Sequence, residues 1–438
     1  MLTKSTPSIN FIDDFEKRFS EISKNIPSWF KEIKEQSLAR FLEVGVPTVK
    51  NEEWKYTNIS PMTQHVFNTS VESQIPDLTT FSKYINAEDI NVVFINGIFS
   101  SKLSNLGKLS KGIKIISFTQ ALKEDSASLQ KLLNKYAPKQ DPSFVALNSA
   151  MASEGYLIKI DDKTISSQLI HLIHVVSPTA QMTCSFPRYL VTIGKSSEAT
   201  LLESYLSLSN ETTYFSSPLI DIWIDSNSTL HYNRAQSESL KAFHIGTTRV
   251  WQERDSNLDG FSLMAGANIA RHDWDIVLNG EGSNATLNGL YGVFGNQHVD
   301  NHTSVDHTFP NCTSNQLYKG ILNDSSRAVF NGKIFVRPVA QKTNSYQLNK
   351  NLLFGKDCRV DTKPQLEIFA DDVKCTHGAT IGQLNEDEIF YLESRAIARK
   401  DAIKMLSKGF LYDVLNNVKH PSAFQKLSEL LEPTLAKL

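Results

Sequence analysis

Cysteine is scarce in this chain: four in 438 residues, Cys184, Cys312, Cys358 and Cys375, scattered rather than clustered. Such spacing excludes a disulfide framework, which needs dense and paired cysteines. A reducing, cytoplasmic setting is therefore expected. An excess of charge of one sign is lacking as well. Forty-five basic and forty-seven acidic residues leave a formal charge of −2, whereas proteins that bind nucleic acid or anionic membranes favour strongly basic surfaces. No apolar run approaches the ~18 residues of a membrane span. The opening MLTKSTPSINFIDDFEKRF turns acidic and amphipathic where a signal peptide needs an apolar block. Nucleotide fingerprints are missing too: there is no GxxxxGKS/T and no GxGxxG after a strand, and the GxSxG serine elbow is absent. The chain is not expected to hydrolyse a nucleotide by itself.

What is present falls into three parts, expected at 1–87, 88–384 and 385–438. The first reads as helical. Phe11, Phe15, Phe19 and Ile22 lie on one face of a 3.6-residue period, and Ser28 is the expected N-cap of a second helix ended by Gly45 and Pro47. The loop Asn51-Glu52-Glu53-Trp54-Lys55-Tyr56-Thr57 follows, with its aromatic pair expected to pack. From about residue 88 the segments become short, β-branched and alternating, after one further helix expected over Thr119–Tyr136. Strands are expected at Tyr156–Ile160, His171–Val176, Leu219–Ile224, Arg327–Phe330, Lys333–Val336 and Leu366–Ala370, with turns at Asn96-Gly97, Asn279-Gly280, Asn288-Gly289 and Asn331-Gly332.

So long a β region with little helix suggests a β-solenoid first and a two-sheet sandwich second. Leu287-Asn288-Gly289 and Phe330-Asn331-Gly332 lie 43 residues apart (330 − 287), near two coils if each takes roughly twenty residues. Asn301, Asn311, Asn315, Asn323 and Asn331 suit a polar ladder at the corners. From Asn385 the pattern returns to helix, with Asn385 and Glu388 as cap and N3 partner. Ile403, Leu406, Phe410 and Val414 form a stripe there, widened by Leu411 and Tyr412 beyond one face, and a last helix is expected over Ser422–Leu438.

Two groups are able to bind a metal. His298, His302 and His307, with Asp300 and Asp306, sit in a strand-like segment and are better suited to hydrogen bonding than to chelation. Val373, Cys375 and His377 are spaced two apart, so in a strand they share one face. A thiolate and an imidazole suit a soft or borderline ion such as iron or zinc, but two ligands do not close a site. A β-helix carbohydrate enzyme and a self-contained metalloprotein stay open as alternatives at this point.

Four segments, in order, carry a family resemblance: NEEWKYT (51–57), DHTFPNCTSNQLYKGILND…VFNGKIFV (306–336), AQKTNSYQLNKNLLF (340–354) and PQLEIFADDVKCTHGATIGQLNEDEIFYLESR (364–395). They resemble the SufD family of the SUF iron–sulfur cluster assembly machinery over nearly the whole chain. The resemblance implies a mainly β fold, a right-handed parallel β-helix core flanked by N-terminal and C-terminal helical segments. It implies a non-catalytic scaffold that pairs with a SufB-like subunit and docks a SufC-like ATPase, with a homodimer in isolation as an open alternative. Cys375 and His377 would face the SufB-like subunit as tentative ligands. No cofactor would be held stably by the chain alone; iron or a nascent iron–sulfur cluster would visit the interface. Phe390, Tyr391, Arg395, Ile403, Leu406 and Phe410 would serve ATPase docking. SufB chains resemble EHEAT where this chain has Cys375-Thr376-His377-Gly378-Ala379-Thr380, so Gly378 withholds a carboxylate. Ala396 stands in SRAI where the family shows SRGI, which puts the turn after Arg395 in doubt.

Overall fold

The segment Arg327–Val336 shows why the middle of the chain forms strands: Ala328, Phe330, Ile334 and Val336 are buried and alternate with Arg327, Asn331 and Lys333. A pleated strand sends alternate side chains to opposite faces, so one face fills the interior, while the other is covered at Val329 and Asn331 and reaches solvent at Arg327. The same alternation recurs through a computed structural model that describes residues 15, 18–24, 26–69, 84–135 and 140–438. Its strands form two long sheets. One runs from Arg359–Ile368 back through Arg327–Val336, His298–His307 and Ile269–Leu278 to Tyr156–Ile160 and Ile113–Ser117. The other runs from Lys374–Gly382 through Asn344–Leu353, Thr313–Leu322 and Asn284–Val293 to Ile90–Ile95 and Ile98–Phe99. The chain alternates between the sheets, and the pairing along both is parallel from coil to coil. This is a parallel β-solenoid of about eight turns with helices at its flanks.

A coil is longer than the sequence spacing suggested. Thr313 bonds Asn284, 29 residues away in the neighbouring coil, and Ser314 bonds Ser345 at a separation of 31. The two Asn-Gly segments 43 residues apart therefore sit on different sheets and mark no repeat. Neither is a turn. Gly289 and Gly332 lie in mid-strand and face inward, where a Cβ would strike the Tyr318 ring and the Gln347 amide respectively. Glycine is there to make room. Asn96-Gly97 does turn, with φ of +52° and +83°.

The corners are held by a ladder of backbone rather than by stacked asparagine side chains. Lys163, Ser196, Asn227, Asp255, Gly282, Asn311 and Lys342, one per coil, all have φ between +53° and +74°. Each donates its amide to a carbonyl of the next coil, at 2.6–3.4 Å. These bonds offset the strain of the left-handed conformation at six non-glycine positions. Of the five asparagines expected at corners, Asn311 and Asn323 occupy them, whereas Asn301, Asn315 and Asn331 lie in strands.

Helical segments cover the outer face of each sheet. On the first, Phe15, Phe19 and Phe41 join Phe215, Phe243, Ile245 and Ile269 in one apolar cluster; Phe11 lies outside the described residues. The helix Ser28–Val44 buries Phe30, Lys34, Ser37 and Phe41 along one stripe, and Gly45 at φ +71° ends it. Ser28 is its first residue rather than its cap; Pro27 holds that position with no side-chain bond. Lys34 Nζ donates to the carbonyls of Ala150 (3.0 Å) and Ala152 (2.7 Å), at the end of the helix Ser143–Met151. That helix has no stripe, because eight of its nine residues are buried, and so it gave no periodic signal. The helix expected over Thr119–Tyr136 is two, Phe118–Glu124 and Ser126–Leu133, divided at Asp125, which caps the second; Tyr136 lies outside the described residues. On the second sheet, Leu202, Phe261, Leu263, Leu290 and Ile321 pack against Leu411, Val414, Leu415, Leu427 and Leu431 of the helices Arg399–Leu415 and Pro421–Ala436.

Candidate functional site

Both sheets end in strands with a neighbour on one side only, Arg359–Ile368 and Lys374–Gly382. The interior rows of the second sheet run straight to that edge. Ser314 pairs with Ser345 and Ser345 with Cys375; Gln316 pairs with Gln347 and Gln347 with His377. That these rows face inward follows from their bonds to the opposite sheet. Ser314 Oγ lies 2.9 Å from His307 Nε2, and Thr303 donates to Gln316 Oε1 at 2.7 Å. Cys375 thus closes an apolar cluster with Ile334, Val336, Ala340, Leu366 and Val373, while His377 is exposed at the mouth. Burial pushes the Cys375 thiol above its ordinary value, so it is held as the thiol. An incoming metal would have to displace that proton.

Strand parity brings Cys375 and His377 to one face, as their spacing predicts, and it separates the three histidines. His298 and His302 project from the outer face of the first sheet, whereas His307 points inward to Ser314. One ion cannot bridge the two faces. Among the described residues no group of three or more His, Cys, Asp or Glu converges on a common point. Cys375 and His377 are therefore a pair of donors at an open edge.

His302 has a different role, which no local motif announced. Its Nε2 is 3.0 Å from Asp300 Oδ1 and its Nδ1 3.7 Å from Glu53 Oε2. Arg271 Nη1 reaches Asp300 at 3.0 Å and donates to the Glu53 carbonyl at 2.5 Å, and its guanidinium lies 3.9 Å over the Trp54 ring. Trp54 also packs on Phe144 at 5.5 Å, and Thr57 donates to Asp300 at 2.5 Å. The loop 51–57 is thereby fastened to two successive coils, through Arg271 and through Asp300 with His302, and to the helix Ser143–Met151, which agrees with a packing role for Trp54. Burial and Arg271 would lower the His302 pKa, but Asp300 and Glu53 outweigh them and raise it. The neighbouring imidazole, against the cost of burial, pulls Glu53 down to about 2. The chemical signal is the pairing of Glu53 with His302 across 249 residues (302 − 53), which spacing hides.

In the C-terminal helices, Phe390 (71 % exposed), Tyr391 (58 %) and Met405 (53 %) stand clear of the body. Met405 had drawn no attention in the sequence. Arg395 lies 5.3 Å over the Tyr391 ring, and Ile403 and Leu406 are half-buried. Phe410 packs within the chain: Lys319 Nζ sits 4.6 Å over its ring and donates to its carbonyl at 3.0 Å. Leu411 is buried against the sheet and Tyr412 meets Phe424, so the width of the apolar face is largely met internally. Asn385 caps the helix Glu386–Glu393 through Asp387 N. Ala396 keeps the left-handed turn that glycine would give, at φ +63°, with Ile397 N donating to Leu392 O at 3.2 Å. Alanine bears that conformation at a cost of about 1 kcal/mol.

Two family models match. The N-terminal region of SufBD proteins covers residues 5–172, and the SufBD core domain of SUF-system FeS cluster assembly covers residues 175–410. Among curated proteins, the chain is 32 % identical over 398 residues to an iron-sulfur cluster assembly SufBD family protein of Synechocystis, covering 88 % of this chain and 87 % of that one. It is 30 % identical over 395 residues to the iron-sulfur cluster assembly protein SufD of Escherichia coli, covering 90 % of each. Its identity to SufD of Bacillus subtilis is 24 % over 436 residues, covering 96 % and 97 %.

Proposed function

Because the chain belongs to the SufBD family of SUF-system iron–sulfur cluster assembly proteins and is of the SufD type, we propose that it works as a non-catalytic scaffold. In this reading it is a cytoplasmic subunit that meets a SufB-like partner at the open end of its solenoid and docks a SufC-like ATPase through its C-terminal helices. The observation that carries the reading is the two edge strands, each paired on one side only, with Cys375 and His377 in the interior-facing row. An exposed sheet edge is a template for another chain's strands. Two donors of thiol and imidazole type fit half of an iron site; the remaining ligands would come from the partner.

Iron or a nascent cluster is cargo here, held transiently. Cys375 has to give up its proton to bind it, so loading at this pair should release acid and strengthen as pH rises. Phe390, Tyr391 and Arg395, with Ile403 and Leu406 behind them, are the proposed grip for the ATPase, whose rearrangement would reshape the interface at the open end. Phe410 supports that surface from within through Lys319.

The test is His377→Ala. The side chain is exposed at the edge, and its strand pairing with Gln347 is made by backbone that the substitution keeps, so the purified complex should still form. Cluster assembly measured in cells through a reporter iron–sulfur enzyme should fall several-fold. Assembly at the wild-type level would sink the ligand role, and a complex that no longer forms would reassign the residue to docking.

A further inference from the structure

A second concave site lies on the outer face of the first sheet beside the loop 51–57, reaching the edge strand at Arg359 on the face opposite to the interior row of Cys375 and His377. It is a cleft of about 460 Å³ lined by Lys55, Tyr56, Asn58, Asn268, Asn296, Arg327 and Arg359, with His298 among its walls. Sheet register builds it. His298 pairs with Arg327 and Arg327 with Arg359, so two guanidiniums project side by side from successive coils about 4.8 Å apart. Asp361, one outward position further along the last strand, lies between them. Its Oδ1 accepts from Arg359 at 2.9 and 3.2 Å, and its Oδ2 is 3.6 Å from Arg327. Arg327 and Arg359 nonetheless keep 47 % and 62 % of their side-chain surface in solvent. Lys55 faces the same cleft and has no ion-pair partner among the described residues; its ammonium is 5.7 Å from the Tyr56 ring centre.

Lys55, Arg327 and Arg359 stand against Asp361, with Glu52 beside Lys55 already paired to Lys363, which leaves a local cationic surplus on a chain whose net charge is −2. The carboxylate engages the Nε and Nη2 edge of Arg359 and orients both guanidiniums without neutralising the group, and the donors that remain are the Arg327 guanidinium, the outer edge of Arg359, an ammonium, a phenol and three side-chain amides. Donors of this kind converging in a concavity attract and hold an oxyanion, and the arginine fork matches phosphate geometry. The volume is that of a small-ligand site rather than of a peptide groove. The geometry points to a binding site for a phosphate-type anion, free or carried by a small organic molecule, held by Lys55, Arg327 and Arg359 with Asp361 as the positioning residue. The site is independent of the proposed scaffold role, and its failure would leave the Cys375–His377 reading untouched.

The experiment is isothermal titration of the full chain with inorganic pyrophosphate at low ionic strength, repeated with sodium chloride at matched ionic strength. One saturable event per chain is expected with pyrophosphate and none with chloride. Arg327→Ala combined with Arg359→Ala should weaken binding by about tenfold or more, since hydrogen bonds to charged groups carry that much. Lys55→Ala leaves the Asp361 pairs intact, so it tests the site without disturbing the edge strand, and it should weaken binding several-fold. Lys195→Ala, which removes an exposed lysine at a distant corner, should change nothing. A second arm uses ADP: tighter binding than pyrophosphate assigns the organic form, weaker binding the free anion, and both uphold the phosphate class. Absence of a saturable event, equal losses in Lys195→Ala, or binding of polyglutamate where pyrophosphate fails would overturn the proposal.

Discussion

His302 joins parts of the chain that are far apart in sequence, and its charge decides how firmly they are joined. Asp300 and Glu53, against burial and Arg271, hold its pKa above the ordinary histidine value. The fastening it provides is therefore fully present below that ordinary value and is lost as pH rises through the raised one. Glu53, lowered to about 2 chiefly by the adjacent imidazole, contributes above the ordinary carboxylate range and is lost only in strong acid. Between those limits both are charged. His302→Gln keeps a hydrogen-bonding amide but not the charge, and should destabilise the chain by about 1.5–3 kcal/mol at about pH 6. Thermal or urea unfolding of both proteins should show that gap narrowing towards about pH 9. A gap that stays constant with pH would mean that shape, not charge, holds the loop. None of this was legible locally: the sequence placed His298, His302 and His307 together and left their division between faces to strand parity.

At the scale of the strand and coil, glycines trade places with aromatic rings. A Cβ on Gly320 would meet the Tyr291 ring at 2.0 Å, and one on Gly289 would meet the Tyr318 ring at 2.1 Å, each ring lying over the glycine of the adjoining strand. Tyr291 is further held by Asn349 and Asn351 inside the coil. Gly320→Ala should cost about 1–3 kcal/mol by overpacking, seen as a lowered urea midpoint with unchanged slope; an unchanged midpoint would show the ring to be free to move. These glycines also explain what the sequence yielded and what it did not. Strands such as Tyr156–Ile160 and Leu219–Ile224 carry dense β-branched and aromatic residues and were read with their true ends. Arg327–Val336 was split in two because Asn331-Gly332 imitates a hairpin turn. The helix Ser143–Met151 went unseen because burial on all sides leaves no stripe. Cys375 and His377 were found because a spacing of two in a strand is sufficient to align them, whereas Arg327 and Arg359 meet only once the register is known.

Over the whole molecule, cover is uneven. Helices and loops shield the outer faces, while the last strands present unpaired backbone groups at one end. Amides on the open side of Arg359–Ile368 and Lys374–Gly382 should exchange hydrogen quickly in the isolated chain and slowly once a SufB-like subunit is added. Protection appearing instead on the helices 386–393 and 399–415 would move the proposed meeting point to the other end of the reading. The corner ladder adds a constraint on how such a protein can vary. With one left-handed residue and one inter-coil amide bond per turn, length is gained or lost in whole steps of about 4.8 Å. Removing a full turn would shorten the body and leave every later side chain on its own face. Removing a single strand residue would exchange inside for outside through the rest of that strand. The solenoid is in this sense a graduated rod, and the separation between its loop-capped flank and its open end is fixed by counting turns.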